Sequence, residues 1–377
     1  MAFSWRTSAL ADRHRALGSK LEDWNGMGSA WTYDKDPAID HVAIRTKAGL
    51  MDVSGLKKMH VVGPHAAAIL HWATTRDVTK LYPGKCAYGC LLNEAGHFID
   101  DCIIYRMSPN GWMFVHGSGQ AHEVLASAAV GRNVGLVFDD DLHDMSLQGP
   151  AAVEFLSKYV PGIRSLNYFH HMPATLFGRA VHISRTGYTG ERGYELFCRR
   201  DDAVFLWDSI LAEGKAFGII PTMFGTLDML RVESYLLFYP YDMSQTYPFE
   251  KDPPGDSLWE LGLDFTVSPG KTDFRGADAH YRLKGKERFK IFGLLVEGRT
   301  PADMGDEVYM AGRKVGVVTY GMYSTLSKQS MALARLEVPV AVHGTRVEIR
   351  GKNVKGPATA HTLPFDDPEK KKRMAVG

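Results

Sequence analysis

No stretch of this 377-residue chain is apolar for long enough to cross a bilayer as a helix, so a membrane protein is not expected. Charge of one sign is also missing. The chain has 44 Lys and Arg against 43 Asp and Glu, whereas a nucleic-acid binder carries a basic excess. The one basic block, Lys370-Lys371-Lys372-Arg373, reads as a solvated terminus. Cysteine is scarce. Cys86, Cys90, Cys102 and Cys198 show no CxxC spacing, so they read as reduced thiols of a cytoplasmic protein. Met1 to Arg15 lack an apolar core with a small-residue cleavage site, so no signal peptide is expected.

What is present describes a globular enzyme-sized chain. Its length exceeds one small core, and its 45% hydrophobic content is ordinary, so two or three domains are expected. An internal echo organises the first half. His60-Val61-Val62-Gly63-Pro64 leads into an apolar helix from His65 to Ala73. Met145-Ser146-Leu147-Gln148-Gly149-Pro150 leads into another from Ala151 to Tyr159. Two strand, Gly-Pro, helix units imply a duplicated α+β module. Strands are expected over 86–92, 98–107 and 112–116, with Asn93-Glu94-Ala95-Gly96 as a turn. Helices are expected over 201–215, capped by Asp201, and over 226–239. A Pro-rich loop then runs from Tyr239 to Ser257, a lid or a linker. Short strands over 289–296, 307–310, 314–320, 330–337 and 346–349 predict a small C-terminal β-barrel. The expected fold is α+β, with a two-lobed body over residues 1–284 and a barrel over 285–377.

The segment Ser184-Arg185-Thr186-Gly187-Tyr188-Thr189-Gly190-Glu191-Arg192-Gly193-Tyr194-Glu195-Leu196 mixes strand formers with three glycines. It reads either as a plain hairpin or as backbone shaped around a ligand. Tyr188 offers an aromatic face, and Glu195 offers a carboxylate that accepts two parallel N–H bonds, as a flat heterocycle would supply. Asp100 and Asp101 form a second candidate. They lie inside an apolar strand pattern, so one of them faces inward. An inward carboxylate is either hydrogen-bonded in a turn or cap, or functional. Other motifs fail. Pro269-Gly270-Lys271-Thr272 resembles the end of a phosphate loop, but Phe265 stands where that loop needs glycine. His170, His171 and His182 have no clear metal-ligand partner set, so no metal is expected.

On these residues the chain resembles the glycine-cleavage T-protein family of folate-dependent aminomethyltransferases and their demethylase relatives. The resemblance runs over nearly the whole length. It covers Ala48 to Ser54, the Tyr88 segment, Gly96 to Asp101, Leu147 to Pro150, Ser184 to Leu196, Arg231-Val232-Glu233 with Tyr235 to Leu237, and Asp273 to Ala279. It implies a three-lobed fold with tetrahydrofolate in a central channel. It also implies Asp101 as the catalytic carboxylate and Glu195 on the pterin's pyrimidine edge. Tyr88, Tyr168 and Tyr188 would line the folate site, with Gly187 and Gly190 letting the backbone pass close to the ring. Departures from the family pattern fall on the expected donor side, where His116 replaces Asn and Leu227 replaces Arg. These two residues are therefore expected in the substrate pocket. The implied activity is transfer of a methyl group from a small methylated sulfonium, amine or methoxy-aromatic donor to tetrahydrofolate. A lipoyl carrier protein is then not an expected partner. A true aminomethyltransferase and a non-enzymatic folate-binding maturation protein are the alternatives.

Overall fold

The computed structural model describes residues 6–248 and 254–375. The first residues of the segment judged free of a signal peptide, and part of the Tyr239–Ser257 loop, lie outside them. A small sheet comes first, from β1 (Arg6–Thr7), β2 (Glu22–Trp24) and β3 (Met27–Ser29), with α1 (Ala11–Ala16) between β1 and β2. In α2 (Pro37–Thr46), proline takes the first turn and the Asp36 side chain accepts from Ala38 N at 2.8 Å. β4 (Ala48–Asp52) follows.

The echo in the sequence is a structural duplication. The first unit is β5 (Lys57–Val62), α3 (Ala66–Ala73), β6 (Cys86–Leu92), β7 (Phe98–Ser108), β8 (Gly111–His116), α4 (Ala121–Ala129) and β9 (Gly135–Phe138). Its sheet runs β6-β7-β8-β5-β9. The second unit is β10 (Leu142–Gln148), α5 (Ala151–Leu156), β11 (His171–Leu176), β12 (Arg179–Ser184), β13 (Gly193–Arg199), α6 (Arg200–Gly214) and β14 (Ile219–Pro221). Its sheet runs β11-β12-β13-β10-β4-β14, the same order with β4 inserted before the last strand. The turning glycines also match, with φ of +129° at Gly63 and +126° at Gly149. A Cβ on Gly149 would lie 2.5 Å from Lys47 O, so no side chain fits there.

Strand alternation sorts the side chains of both sheets. Leu91, Cys102, Ile104, Trp112 and Phe114 pack with residues of α3 and α4. Leu147, Ile183, Tyr194, Leu196 and Cys198 pack with residues of α5 and α6. The remaining faces meet each other, where Tyr105 and Met113 of the first sheet cluster with Phe197 of the second. All four cysteines are buried and unpaired.

Several local expectations need correction. Asp201 does not cap α6. Arg199 holds the cap position without a side-chain bond, and Asp201 lies in the first turn, where its charge suits the helix dipole. α7 (Thr226–Ser234) stops before Tyr239, because Tyr235 turns left-handed at φ +52° and Leu236 N closes onto Arg231 O at 2.9 Å. Two buried carboxylates pin the described parts of the following loop. Asp242 is held by Arg231 and Thr319, and Asp256 by Ser244 and Arg335. The helices α8 (Leu258–Leu261) and α9 (Ala277–Leu283) lead to the barrel.

The barrel closes in the order β15-β18-β17-β16-β19-β20, from β15 (Phe289–Val296), β16 (Glu307–Met310), β17 (Arg313–Ser324), β18 (Gln329–Glu337), β19 (Arg346–Arg350) and β20 (Lys355–His361). β20 was not expected, because Gly356-Pro357 reads as a strand breaker. Pro357 is tolerated opposite Glu348, and its carbonyl accepts from Glu297 N at 3.2 Å.

The basic tail is solvated only in part: Lys370, Lys371 and Lys372 are exposed, and Arg373 is buried. The tail forms α10 (Lys371–Met374) and docks on the second lobe. Arg185 donates to the carbonyls of Arg373 and Ala375, Arg373 donates to Ser234 O, and Lys372 pairs with Glu191 and Asp366. Buried acceptors on the body therefore hold what the sequence presents as a charge run.

Candidate functional site

β7 carries Asp101, Ile103 and Tyr105 on the face toward the second sheet, and Asp100 and Cys102 on the helix side. Asp101 keeps partial solvent access and accepts a hydrogen bond from Tyr88 OH at 2.8 Å, across the β6–β7 pair. Burial, and then the charge of Asp100, push the Asp101 carboxyl up to about 7, while the Tyr88 bond opposes the rise. A carboxyl that titrates near neutrality and keeps some solvent access is suited to moving protons.

Asp100 is fully buried. It accepts from His116 Nδ1 at 2.8 Å, from Ala121 N at 2.9 Å and from Asp101 N at 2.9 Å. His116 thus lies on the helix side of its sheet, 2% exposed, and does not line the space between the sheets as the donor-pocket expectation required. Strand alternation explains this, since Met113 and Val115 take the inner face and His116 falls on the other.

Glu195 projects from β13 between Ser184 of β12 and Ser146 of β10. Thr186 Oγ1 and Tyr105 OH both donate to its carboxylate. Burial raises its proton affinity, and these two bonds moderate the rise. Tyr105 thus touches Glu195, and it stands four residues from Asp101 on the same strand face, about 13 Å along the sheet. Tyr105 lies between Asp101 and Glu195 where the two sheets meet.

The Ser184–Leu196 motif owes its glycines to its own packing. A Cβ at Gly187 or Gly193 would lie 2.2 or 2.1 Å from Gln148 Oε1, and one at Gly190 would meet Ser234 Oγ at 2.1 Å. The buried Gln148 amide organises the turn. It donates to Ser146 Oγ and to Thr186 O, and it accepts from Thr189 Oγ1. On the side where a side chain would project, Gly187 and Gly190 are therefore packed against protein. A narrow cleft remains beside it, lined by Tyr168, Thr186, Gly187, Gly190, Glu191, Gly193 and Arg373.

Tyr188 leaves this motif toward α7, and its hydroxyl donates to Leu236 O and Leu237 O. Its surroundings include the charges of Arg231, Asp242 and Asp101. Leu227 is buried in the same apolar cluster as Tyr188, with Trp24, Trp31, Phe224 and Phe238. Sequence reasoning had assigned no role to Tyr105, Gln148 or Arg231. The fully buried Arg231 donates to Asp228 at 2.6 Å and to Asp242 at 2.7 Å. A charged triplet on an apolar helix was visible in the sequence, but its partner Asp242 was not. His171 Nδ1 and His182 Nε2 bond each other at 2.6 Å, and among the described residues no group of three His, Cys, Asp or Glu could hold a metal ion.

Known proteins share this architecture. The family model for the GCVT N-terminal domain matches residues 10–271, and that for the glycine cleavage T-protein C-terminal barrel domain matches residues 290–367. The heme-dependent oxidative N-demethylase gamma subunit of Ectopseudomonas mendocina is 64% identical over 100% of both chains. The trimethylamine-oxide aldolase of Ruegeria pomeroyi is 33% identical over 97% of this chain and 47% of its own length. Among solved structures, the glycine cleavage system aminomethyltransferase T of Bartonella henselae superposes with a TM-score of 0.85 at 27% identity, covering 96% of this chain and 98% of its own. With both domains matched and the duplicated lobes and closed barrel in place, this chain belongs to the glycine-cleavage T-protein family.

Proposed function

We propose that this chain transfers a one-carbon unit from a small N-methylated amine to tetrahydrofolate, as one subunit of an oxidative demethylating assembly. The observation that carries the reading is Asp101, a partly exposed carboxyl that accepts from Tyr88 and is pushed up to about 7. The full-length likeness to an N-demethylase gamma subunit supports both the amine donor and the presence of partner subunits. Of the donors considered from sequence, sulfonium and methoxy-aromatic compounds gain no such support. The reading places the folate-binding body at residues 1–284, the barrel at 285–377 and the protein in the cytoplasm, with no lipoyl carrier protein as partner.

The residues present suit tetrahydrofolate. Glu195 is a buried acceptor for the N–H donors of a pterin's pyrimidine edge, and Tyr188 and Tyr88 add aromatic faces with polar tips. Tyr168 and Arg373 border the adjoining cleft. When bound, tetrahydrofolate supplies the nucleophilic nitrogen that takes up the carbon. In this scheme the N-methyl carbon loses two electrons and a proton to an oxidising partner subunit, and water adds to the resulting iminium to release the amine and formaldehyde. The oxygen gained from that water leaves again as water when the carbon is taken up. Asp101 gives that oxygen a proton and recovers one from the nitrogen side, as a group titrating near 7 does at either stage. Leu227 offers no charge to clamp an anionic donor, and its apolar cluster suits methyl groups.

A glycine-cleavage aminomethyltransferase is the second reading, favoured by the close superposition on such an enzyme. The two separate in one experiment. The purified chain is given tetrahydrofolate with either formaldehyde or an aminomethylated lipoyl carrier protein, and methylenetetrahydrofolate is measured. Formation from the aldehyde alone is expected. Rapid ammonia release from the carrier protein would replace this reading with the second.

A further inference from the structure

Asp100 is more elaborately held than a helix cap requires. Three N–H groups point at it: His116 Nδ1 and Ala121 N on Oδ2, and Asp101 N on Oδ1. All are donors, an arrangement that matches the acceptor-only form of a carboxylate. The chain before α4 is wrapped tightly over it. A Cβ on Gly119 would come within 2.3 Å of Asp100 Cγ, so only glycine lets the backbone pass. Behind His116, the ring of His122 stands edge-on at 4.4 Å and Phe138 follows at 4.3 Å, closing the site on the helix side. Among the described residues, His116 Nε2 has no hydrogen-bond partner. The backbone N–H of Asp101 is itself one of the three donors, so the two carboxyls are joined through one residue of backbone, on opposite faces of one strand.

We propose that Asp100, held by His116 and the start of α4, is a positioning residue that makes Asp101 hold its proton more tightly. The inference rests on Asp101 being the proton-handling group of the proposed reaction. A like charge on the adjacent residue disfavours ionisation of its neighbour, and Asp100 is fully buried, so water does not surround its charge. The other titratable groups around the pair are Tyr88 and Cys90 from β6, Cys102 from β7, Tyr188 from the motif turn, and Tyr239 from the segment after α7. In this arrangement His116 serves a proton balance from behind the sheet, without touching substrate.

The test is a carbon-13 NMR titration of the carboxyl groups in the full-length chain, labelled at aspartate, with the Asp101 signal assigned by its loss in Asp101→Asn. No folate or donor is present, so the result is independent of whether the proposed transfer occurs. Asp100→Asn should move the Asp101 midpoint down by about one pH unit or more, the usual scale for removing a close like charge. His116→Leu removes one of the three donors and should move it in the same direction by less. His116→Asn keeps a donor and should leave it at the wild-type value. A midpoint that stays in place in both Asp100→Asn and His116→Leu would reduce Asp100 to a helix cap and overturn the proposal. If Asp100→Asn does not fold, His116→Leu decides alone.

Discussion

Replacing Gln148 by leucine should cost about 2–4 kcal/mol of stability and loosen the Ser184–Leu196 motif. The side chain is 2% exposed, and its amide reaches three groups at 3.0–3.1 Å: Ser146 Oγ, Thr186 O and Thr189 Oγ1. Leucine keeps the approximate volume but offers neither donor nor acceptor. Ser146 and Thr189 carry hydroxyls that can turn to other partners, and Thr189 Oγ1 already accepts from Glu191 N at 3.2 Å. Thr186 O has no such freedom. A buried group left unsatisfied costs about 1–3 kcal/mol, so one full penalty and two partial ones give the stated range. Thr186 also donates to Glu195, so the same substitution should weaken tetrahydrofolate binding at a distance from any ligand contact. Urea denaturation followed by circular dichroism reads the first effect, and calorimetric titration with tetrahydrofolate reads the second. A stability loss below about 0.5 kcal/mol, the range of ordinary surface substitutions, would refute the reasoning and leave the three glycines without a packing cause.

Three further outcomes are expected. Glu195→Ala should weaken tetrahydrofolate binding by about 1.5–3 kcal/mol, the range for hydrogen bonds to a charged group, and calorimetry on the folded variant would show it. Asp101→Asn should lower turnover by about 100-fold or more with a smaller change in folate affinity, measured by steady-state methylenetetrahydrofolate formation. The same variant should alter stability against pH. Burial raises the Asp101 carboxyl from 3.8 to about 7, so its stabilising contribution is complete below about pH 4 and is lost as pH rises through 7. Asp101→Asn, which cannot ionise, should therefore gain on wild type between pH 4 and 8 in thermal melts, and equal melting shifts at both ends would contradict the buried environment.

The duplicated lobes and most of the barrel were legible because their signals are local. Gly63-Pro64 and Gly149-Pro150 each stop a strand and start a helix, and the structure repeats even their backbone angles. β20 escaped because its Pro357 obeys a local rule that barrel closure overrides. Within the site, Asp101 and Glu195 stood out as carboxylates in strand patterns, and the structure sets Tyr105 between them. Which of Asp100 and Asp101 faced the cleft depended on strand phase, and His116 was misplaced by that same one-residue ambiguity. The roles of Gln148, Tyr105 and Asp242 were invisible, because each has a partner far away in the chain, Thr186, Glu195 and Thr319 respectively. The docked tail was missed for the same reason. A run of lysines looks solvated until Glu191, Asp366 and Ser234 are brought beside it.

The position of β4 has a consequence for synthesis. This strand precedes the whole first unit in the chain, yet it pairs with β10 and, in parallel, with β14. The second sheet is thus discontinuous, and the first lobe is threaded into it as an insertion. During translation β4 emerges early and waits for β14, which at about 5–20 residues per second takes roughly ten to thirty seconds. Throughout that interval Leu50 and Met51 have no finished sheet to enter, while the first lobe has every strand it needs once β9 has emerged, well before β14. The nascent chain should therefore complete its first lobe while a sticky strand hangs upstream of it. That interval is the one in which a chaperone at the ribosome exit would matter most.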